Sequence, residues 1–236
     1  MERKLFLRNG LAALGLAALG PLASACKKDS ETTDSTTGTT SGSCTVSPTE
    51  TEGPFPTKSP SSLVTNDIRS DRTGVPFTIR INIRNTKNEC ALLAGALVDI
   101  WHCDKDGYYS EYGGTGMQSV NFTGVHFLRG RQTTDANGQV TFTSIFPGWY
   151  SGRAPHIHVH VYNASGTSLL VTQIAFPTDV CNTVYTTATN YYTKGTQDTS
   201  NARDNIFSDS LATELATLTG SVSAGYVLTH TIFVAA

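Results

Sequence analysis

Charged side chains are scarce in this 236-residue chain, at 15% of residues, with 17 Lys+Arg against 19 Asp+Glu and a formal net charge of −2. No basic cluster stands out, so nucleic acid and other polyanions are excluded as partners. Long apolar runs are also missing. The one run, over residues 11–22, falls short of the roughly 20 residues that a spanning helix needs. No internal repeat is evident, and the length suits one compact domain or one domain with a small extension. Cysteines number only five, and the first of them, Cys26, lies in a distinctive place.

Residues 1–25 combine a basic start (Arg3, Lys4, Arg8), the short apolar run and small residues leading to L-A-S-A-C. This pattern reads as a secretory signal whose Cys26 becomes a lipid-bearing first residue. An ordinary cleaved signal is the alternative. R-K-L-F-L-R also resembles a twin-arginine export signal with Lys4 in place of one arginine. Residues 26–43 are rich in Ser, Thr and Gly and too polar to bury a core, so they read as a tether. The expectation is an exported domain over 44–236, joined to the cell envelope, periplasmic side or cell surface, through Cys26. Four cysteines remain in that domain: Cys44, Cys90, Cys103 and Cys181. An even number in an exported chain predicts two disulfides, with three connectivities open.

Past the tether the pattern is β-rich. Alternation of apolar and polar residues marks strands at 77–84 and 96–101, and further strands are expected at 131–134, 140–146, 156–162, 169–176 and 226–234. D-A-N-G at 135–138 reads as the turn of a hairpin. One helix is expected at 208–218, with Gly220 as its stop. Many short strands at this spacing predict an all-β fold, a two-sheet sandwich with few short helices.

The most telling segment is W-Y-S-G-R-A-P-H-I-H-V-H, residues 149–160. A strand turns alternate side chains to one face, so His156 and His158 project together. Two imidazoles on a rigid element make half of a metal site. Tyr150 in the same segment and Tyr109 in D-G-Y-Y-S are the candidate hard oxygen donors. Together they suggest a mononuclear non-haem iron site of two tyrosines and two histidines. His160 shares the strand face, but residues i and i+4 of a strand lie about 13 Å apart. It is therefore expected beside the centre or at the surface. His102, His126 and His230 have no motif around them and read as structural.

G-A-L-V-D-I-W and T-D-A-N-G-Q-V-T-F-T-S-I-F-P-G-W-Y resemble prealbumin-like sandwich modules, many of them non-catalytic binding or spacer units. A more specific resemblance comes from G-Y-Y-S, P-G-W-Y and R-A-P-H-I-H, joined by T-E-G-P-F-P, V-D-I-W-H and V-T-Q-I-A-F. These resemble the motifs of the intradiol ring-cleavage dioxygenases, the family of the catechol and protocatechuate dioxygenases. The resemblance implies Tyr109, Tyr150, His156 and His158 as ligands of a non-haem Fe(III), with Arg153 and Gln173 as pocket residues. It implies that dioxygen and a catechol-type aromatic diol are the substrates, cleaved to a muconate-type dicarboxylate, and that Tyr150 is the ligand the diol displaces. Two departures stand out. Ala154 and Pro155 are exchanged relative to the family order, and only Ser151 and Gly152 separate Tyr150 from Arg153, where the soluble catabolic enzymes have a longer loop. A cupin-type oxygenase is excluded because residues 159–169 contain no Glu.

Overall fold

A computed structural model describes residues 44–114 and 116–236. The expected signal, the lipid-bearing Cys26 and the tether lie outside the described residues. Among the described residues, nine strands form two sheets. The first sheet contains β1 (Pro76–Asn85), β2 (Ala91–Leu92), β5 (Gln139–Ile145), β8 (Thr217–Ser221) and β9 (Gly225–Val234). The second runs in the order β4 (Arg129–Thr133), β3 (Leu97–Trp101), β6 (His156–Tyr162) and β7 (Ser168–Ala175). The fold is the all-β sandwich that the spacing of strands predicts.

The inner faces follow from period-two alternation. Phe77, Ile79, Ile81 and Ile83 of β1 are buried against Val98 and Ile100 of β3 and against Ile157, Val159 and Val161 of β6. Each such side chain contributes about 1.5–3 kcal/mol on burial. β6 is buried on both faces over residues 156–159. One face supplies core aliphatics, and the other carries His156 and His158.

Three expectations need correction. D-A-N-G does form a tight turn, with Gly138 N–H donating to the Asp135 carbonyl at 2.9 Å. The strands on either side do not pair, however: β4 joins β3 and β5 joins β1, so the turn steps from one sheet to the other. The alternation that suggests two neighbouring strands is equally satisfied by two strands facing each other across a core. The helix expected at 208–218 shrinks to α2 (Leu211–Glu214), and residues 217–221 become β8. Ala216 N–H donates to the Ala175 carbonyl at 3.0 Å, drawing the chain onto the end of β7, and β-branched Thr217 and Thr219 then pair with β9. Gly220 falls at the end of β8, paired with Tyr226, and is not a helix stop.

Finally, Cys44 and Cys90 form a disulfide with a Cα–Cα separation of 5.8 Å, while Cys103 and Cys181 are free and buried. Cys181 sits on α1 (Thr178–Thr187) in the main core, and Cys103 packs in a separate aromatic cluster with Trp101 and Tyr109. Two expected bridges become one because parity says nothing about which thiols meet. Helix α1 itself, T-D-V-C-N-T-V-Y-T-T, consists largely of poor helix formers. It is held by burial of Cys181, Val184 and Tyr185.

Candidate metal centre

Two loops deliver the tyrosines to the end of β6. In the first, Asp104 Oδ1 accepts the Asp106 and Tyr108 N–H groups, both at 3.0 Å, turning the chain back after β3. Gln118 then clamps Tyr109, accepting from its N–H at 2.7 Å and donating to its carbonyl at 2.8 Å. The second loop, P-G-W-Y, lies against the first. A Cβ on Gly148 would come within 2.4 Å of the Lys105 carbonyl oxygen, and one on Gly107 within 2.3 Å of the Trp149 carbonyl oxygen. Only glycine permits so close an approach. This contact holds Tyr150 in position opposite Tyr109.

The four expected donors come together. Tyr109 Oη lies 3.3 Å and Tyr150 Oη 3.4 Å from His156 Nε2. His158 Nε2 lies 3.2 Å from the same atom. His156 Nδ1 donates to the Ala154 carbonyl at 2.6 Å, which leaves the Nε2 lone pair facing the tyrosines and His158. Trp101, the register partner of His158 on β3, stacks flat on its ring at 4.9 Å. Phe55 stacks on Tyr109 at 4.8 Å. Tyr109, His156 and His158 are buried, while Tyr150 is half-buried and faces the opening.

Burial governs the titration of all four. Without a positive ion, burial drives the Tyr109 phenol well above its ordinary range, and it pushes Tyr150 up to about 12 against the opposing pull of Arg153. Burial, followed by the Arg153 charge, pushes His156 down to about 3. Burial and the neighbouring His156 hold His158 well below the usual imidazole range. The imidazoles are therefore neutral and ready to donate. Among the described residues, no group of three or more His, Cys, Asp or Glu side chains could hold a metal ion. The donor set here is instead two imidazoles and two phenols, hard oxygens suited to a strongly acidic ion.

Arg153 and Gln173 lie beside the donors and are bonded to each other. Gln173, the β7 register partner of His158, accepts from Arg153 Nη2 at 2.7 Å and donates to the Thr51 carbonyl at 2.9 Å. His160 stays outside the centre, bonded to Ser168 Oγ at 2.8 Å, with Nδ1 3.1 Å from Glu52 Oε1 and its ring stacked on Tyr162. His102 is buried between the Cys103 carbonyl and Ser144 Oγ, each at 2.8 Å, and burial pushes it down to about 4. His126 is exposed and pairs with Glu111 at 2.7 Å. His230 borders an apolar groove of about 560 Å³ between residues 45–48 and β9. That groove contains none of the donors. The opening onto Tyr150 and Arg153 is a shallower cavity of about 360 Å³.

Two roles follow only from the folded chain. The segment around T-E-G-P-F-P is a strap over the centre: Glu50 N–H donates to the Val171 carbonyl, Thr51 meets Gln173, and Gly53 lies on His158. A Cβ on Gly53 would come within 2.9 Å of the His158 ring. The other is Asp204, fully buried, which accepts from Arg153 Nε at 2.8 Å and from Ala154 N–H at 2.7 Å. R-D-N-I-F carries no periodic or motif signal that would have marked it.

A family model described as Dioxygenase matches residues 51–208, a span that includes all four donors, Arg153, Gln173 and Asp204. The chain belongs to the intradiol ring-cleavage dioxygenase family. Chlorocatechol 1,2-dioxygenase of Rhodococcus opacus is 29% identical to it over 145 residues, 53% of this chain and 52% of that protein. Catechol 1,2-dioxygenase 1 of Acinetobacter lwoffii is 29% identical over 121 residues, 44% of this chain and 37% of that protein. The chain thus spans about half or less of the length of these curated relatives. Among solved structures, an intradiol ring-cleavage dioxygenase from Tetranychus urticae is similar at a TM-score of 0.71 and 27% identity, covering 81% of this chain and 95% of that one. The dioxygenase domain of a carbohydrate-binding fusion protein from Streptomyces sp. SirexAA-E is similar at a TM-score of 0.58 and 26% identity, covering 80% and 97%.

Proposed function

We propose that this family member is a non-haem Fe(III) intradiol dioxygenase that cleaves a catechol-type diol between its hydroxyl-bearing carbons, adding both atoms of dioxygen to give a muconate-type dicarboxylate. The observation that carries this reading is the meeting of two phenol oxygens and two imidazole nitrogens, each of the other three within 3.4 Å of His156 Nε2. Tyr109, Tyr150, His156 and His158 would hold the iron. Ferric iron held there would supply Lewis acidity, favouring phenolate over phenol and drawing electron density from a diol.

The chain's own residues supply the rest. Tyr150, half-buried at the opening, is the donor an incoming diol reaches first, and its Oη is placed to take a diol proton. Tyr109, sealed beneath Phe55, stays in place. Arg153 directs its guanidinium toward the cavity and stabilises negative charge developing on the ring. Gln173 sets the orientation of Arg153 through the 2.7 Å bond. Trp101, Phe55 and Gly53 close the inner side of the site to water. We further propose, from the sequence pattern of residues 1–43, that the domain is exported and attached to the envelope through Cys26.

Purified protein loaded with Fe(III) is expected to be burgundy to red from tyrosinate charge transfer, with a shift when catechol is added. Incubation with catechol, 4-methylcatechol and hydroxyquinol, with products identified by mass, should give muconates. A preparation colourless after iron loading overturns the metal assignment. Yellow semialdehyde products, from cleavage beside the diol, overturn the regiochemistry.

A further inference from the structure

The charge at the cavity mouth is arranged in an unusual way. Pro54, Met117, Tyr150, Arg153 and Ile206 line the mouth, and Arg153 is the cation of the lining. That cation is already engaged: its Nε bonds Asp204 Oδ2 at 2.8 Å and its Nη2 bonds Gln173 Oε1 at 2.7 Å. Asp204 is itself locked. Oδ2 also accepts the Ala154 N–H at 2.7 Å, and Oδ1 accepts the Ile206 N–H at 2.9 Å. The carboxylate therefore ties the guanidinium both to the start of β6 and to the segment that forms the far rim of the cavity. Glu50 also interacts electrostatically with Arg153 and Asp204, which adds a second negative charge on this side of the guanidinium.

We propose that Asp204 is a positioning and specificity-determining residue, which holds Arg153 over the ring for the charge developing there and offsets the net charge at the mouth, so that the site selects diols with uncharged, apolar ring substituents over carboxylated ones. The inference rests on the intradiol reading above. A ring carboxylate at this mouth would lose its water and find no unpaired cation, and nearby carboxylates would repel it. A methyl or larger alkyl group would instead meet Pro54, Ile206 and the exposed side chain of Met117. Asp204 does not touch the reacting atoms; it acts through Arg153.

The test compares iron-loaded wild type with two variants, using 4-methylcatechol and protocatechuate. Binding is followed anaerobically by the shift of the visible band, and turnover is followed in air. Wild type should prefer 4-methylcatechol by at least about tenfold in binding. Asp204→Asn releases the Arg153 charge and should narrow that preference about tenfold, mainly by lowering KM for protocatechuate, while kcat for 4-methylcatechol falls as Arg153 loses its anchor. Loss of a fold-stabilising residue alone would lower both substrates together and leave their ratio unchanged. Should Asp204→Asn fail to fold, Met117→Lys decides the matter, because residue 117 is 70% exposed and an ammonium there adds an unpaired cation at the rim. It should narrow the same ratio. Equal binding of the two diols by wild type, or an unchanged ratio in every folded variant, overturns the proposal alone. A protein that binds neither diol overturns the proposal together with the intradiol function.

Discussion

At the scale of single residues, the centre is a set of neutral donors whose environment forbids them to be charged alone. Burial keeps the Tyr109 and Tyr150 phenols protonated and the His156 and His158 imidazoles unprotonated in the absence of a metal. Tyr109→Phe, His156→Ala and His158→Ala should each lose most of the bound iron by metal analysis, whereas His160→Ala should keep it, since His160 is committed to Ser168 and Glu52. Arg153→Ala should retain iron yet lose about 10²–10³ in turnover, the usual consequence of removing one positioned donor to developing charge. The pairing of His156 with His158 is legible from strand alternation alone, and the tyrosines from their motifs. Asp204 is not legible, because a lone Asp in R-D-N-I-F acquires its role only when residues 201–207 fold against Arg153.

Elements carry a second layer of constraint. The Tyr109 and Tyr150 loops touch backbone to backbone through Gly107 and Gly148, so the donor geometry depends on two missing side chains. Gly148→Ala should destabilise the fold by about 1–3 kcal/mol, as overpacking does, and should lower iron occupancy more than a core substitution of equal cost. Denaturant midpoints and metal content, read together, check this. The short α2 segment ends in Glu214, whose side chain is fully buried. Burial, together with Glu50, Asp209 and Asp204, raises its carboxyl from 4.5 to about 7. A raised carboxyl favours the folded state while it is protonated. Its contribution is therefore complete below pH 4.5 and disappears as pH rises through about 7. The stability difference between wild type and Glu214→Gln, from denaturant midpoints at a series of pH values, should accordingly shift against wild type between those limits. A difference independent of pH would show that Glu214 keeps an ordinary carboxyl in the fold.

At the scale of the whole molecule, a disulfide and an expected anchor lie at the start of the domain. Thiol titration of the unfolded, unreduced domain over 44–236 should find two free groups, Cys103 and Cys181, with Cys44 and Cys90 bridged. Cys26→Ser should abolish partitioning into detergent without altering iron content, because the tether expected at 26–43 separates anchor from domain. A single acyl chain gives only marginal attachment, so stable anchoring needs several. Equal partitioning of wild type and variant would remove Cys26 as the anchor.

The sequence by itself determined what depends on local periodicity and on residue chemistry. Alternation placed β1 and β3, the H-I-H spacing put two imidazoles on one face, and the motifs singled out Tyr109, Tyr150, Arg153 and Gln173 as candidates. Tertiary structure decided what depends on chain crossings. It sent the strands flanking D-A-N-G to opposite sheets, made a helix of the threonine-rich 178–187, left Cys103 and Cys181 unbridged, and laid residues 50–57 over His158. It also set Asp204 beneath Arg153. The division has a physical cause. A strand's two faces are set by the geometry of successive residues, but which segments meet across a core is set by burial summed over the whole chain. No single window of sequence contains that sum.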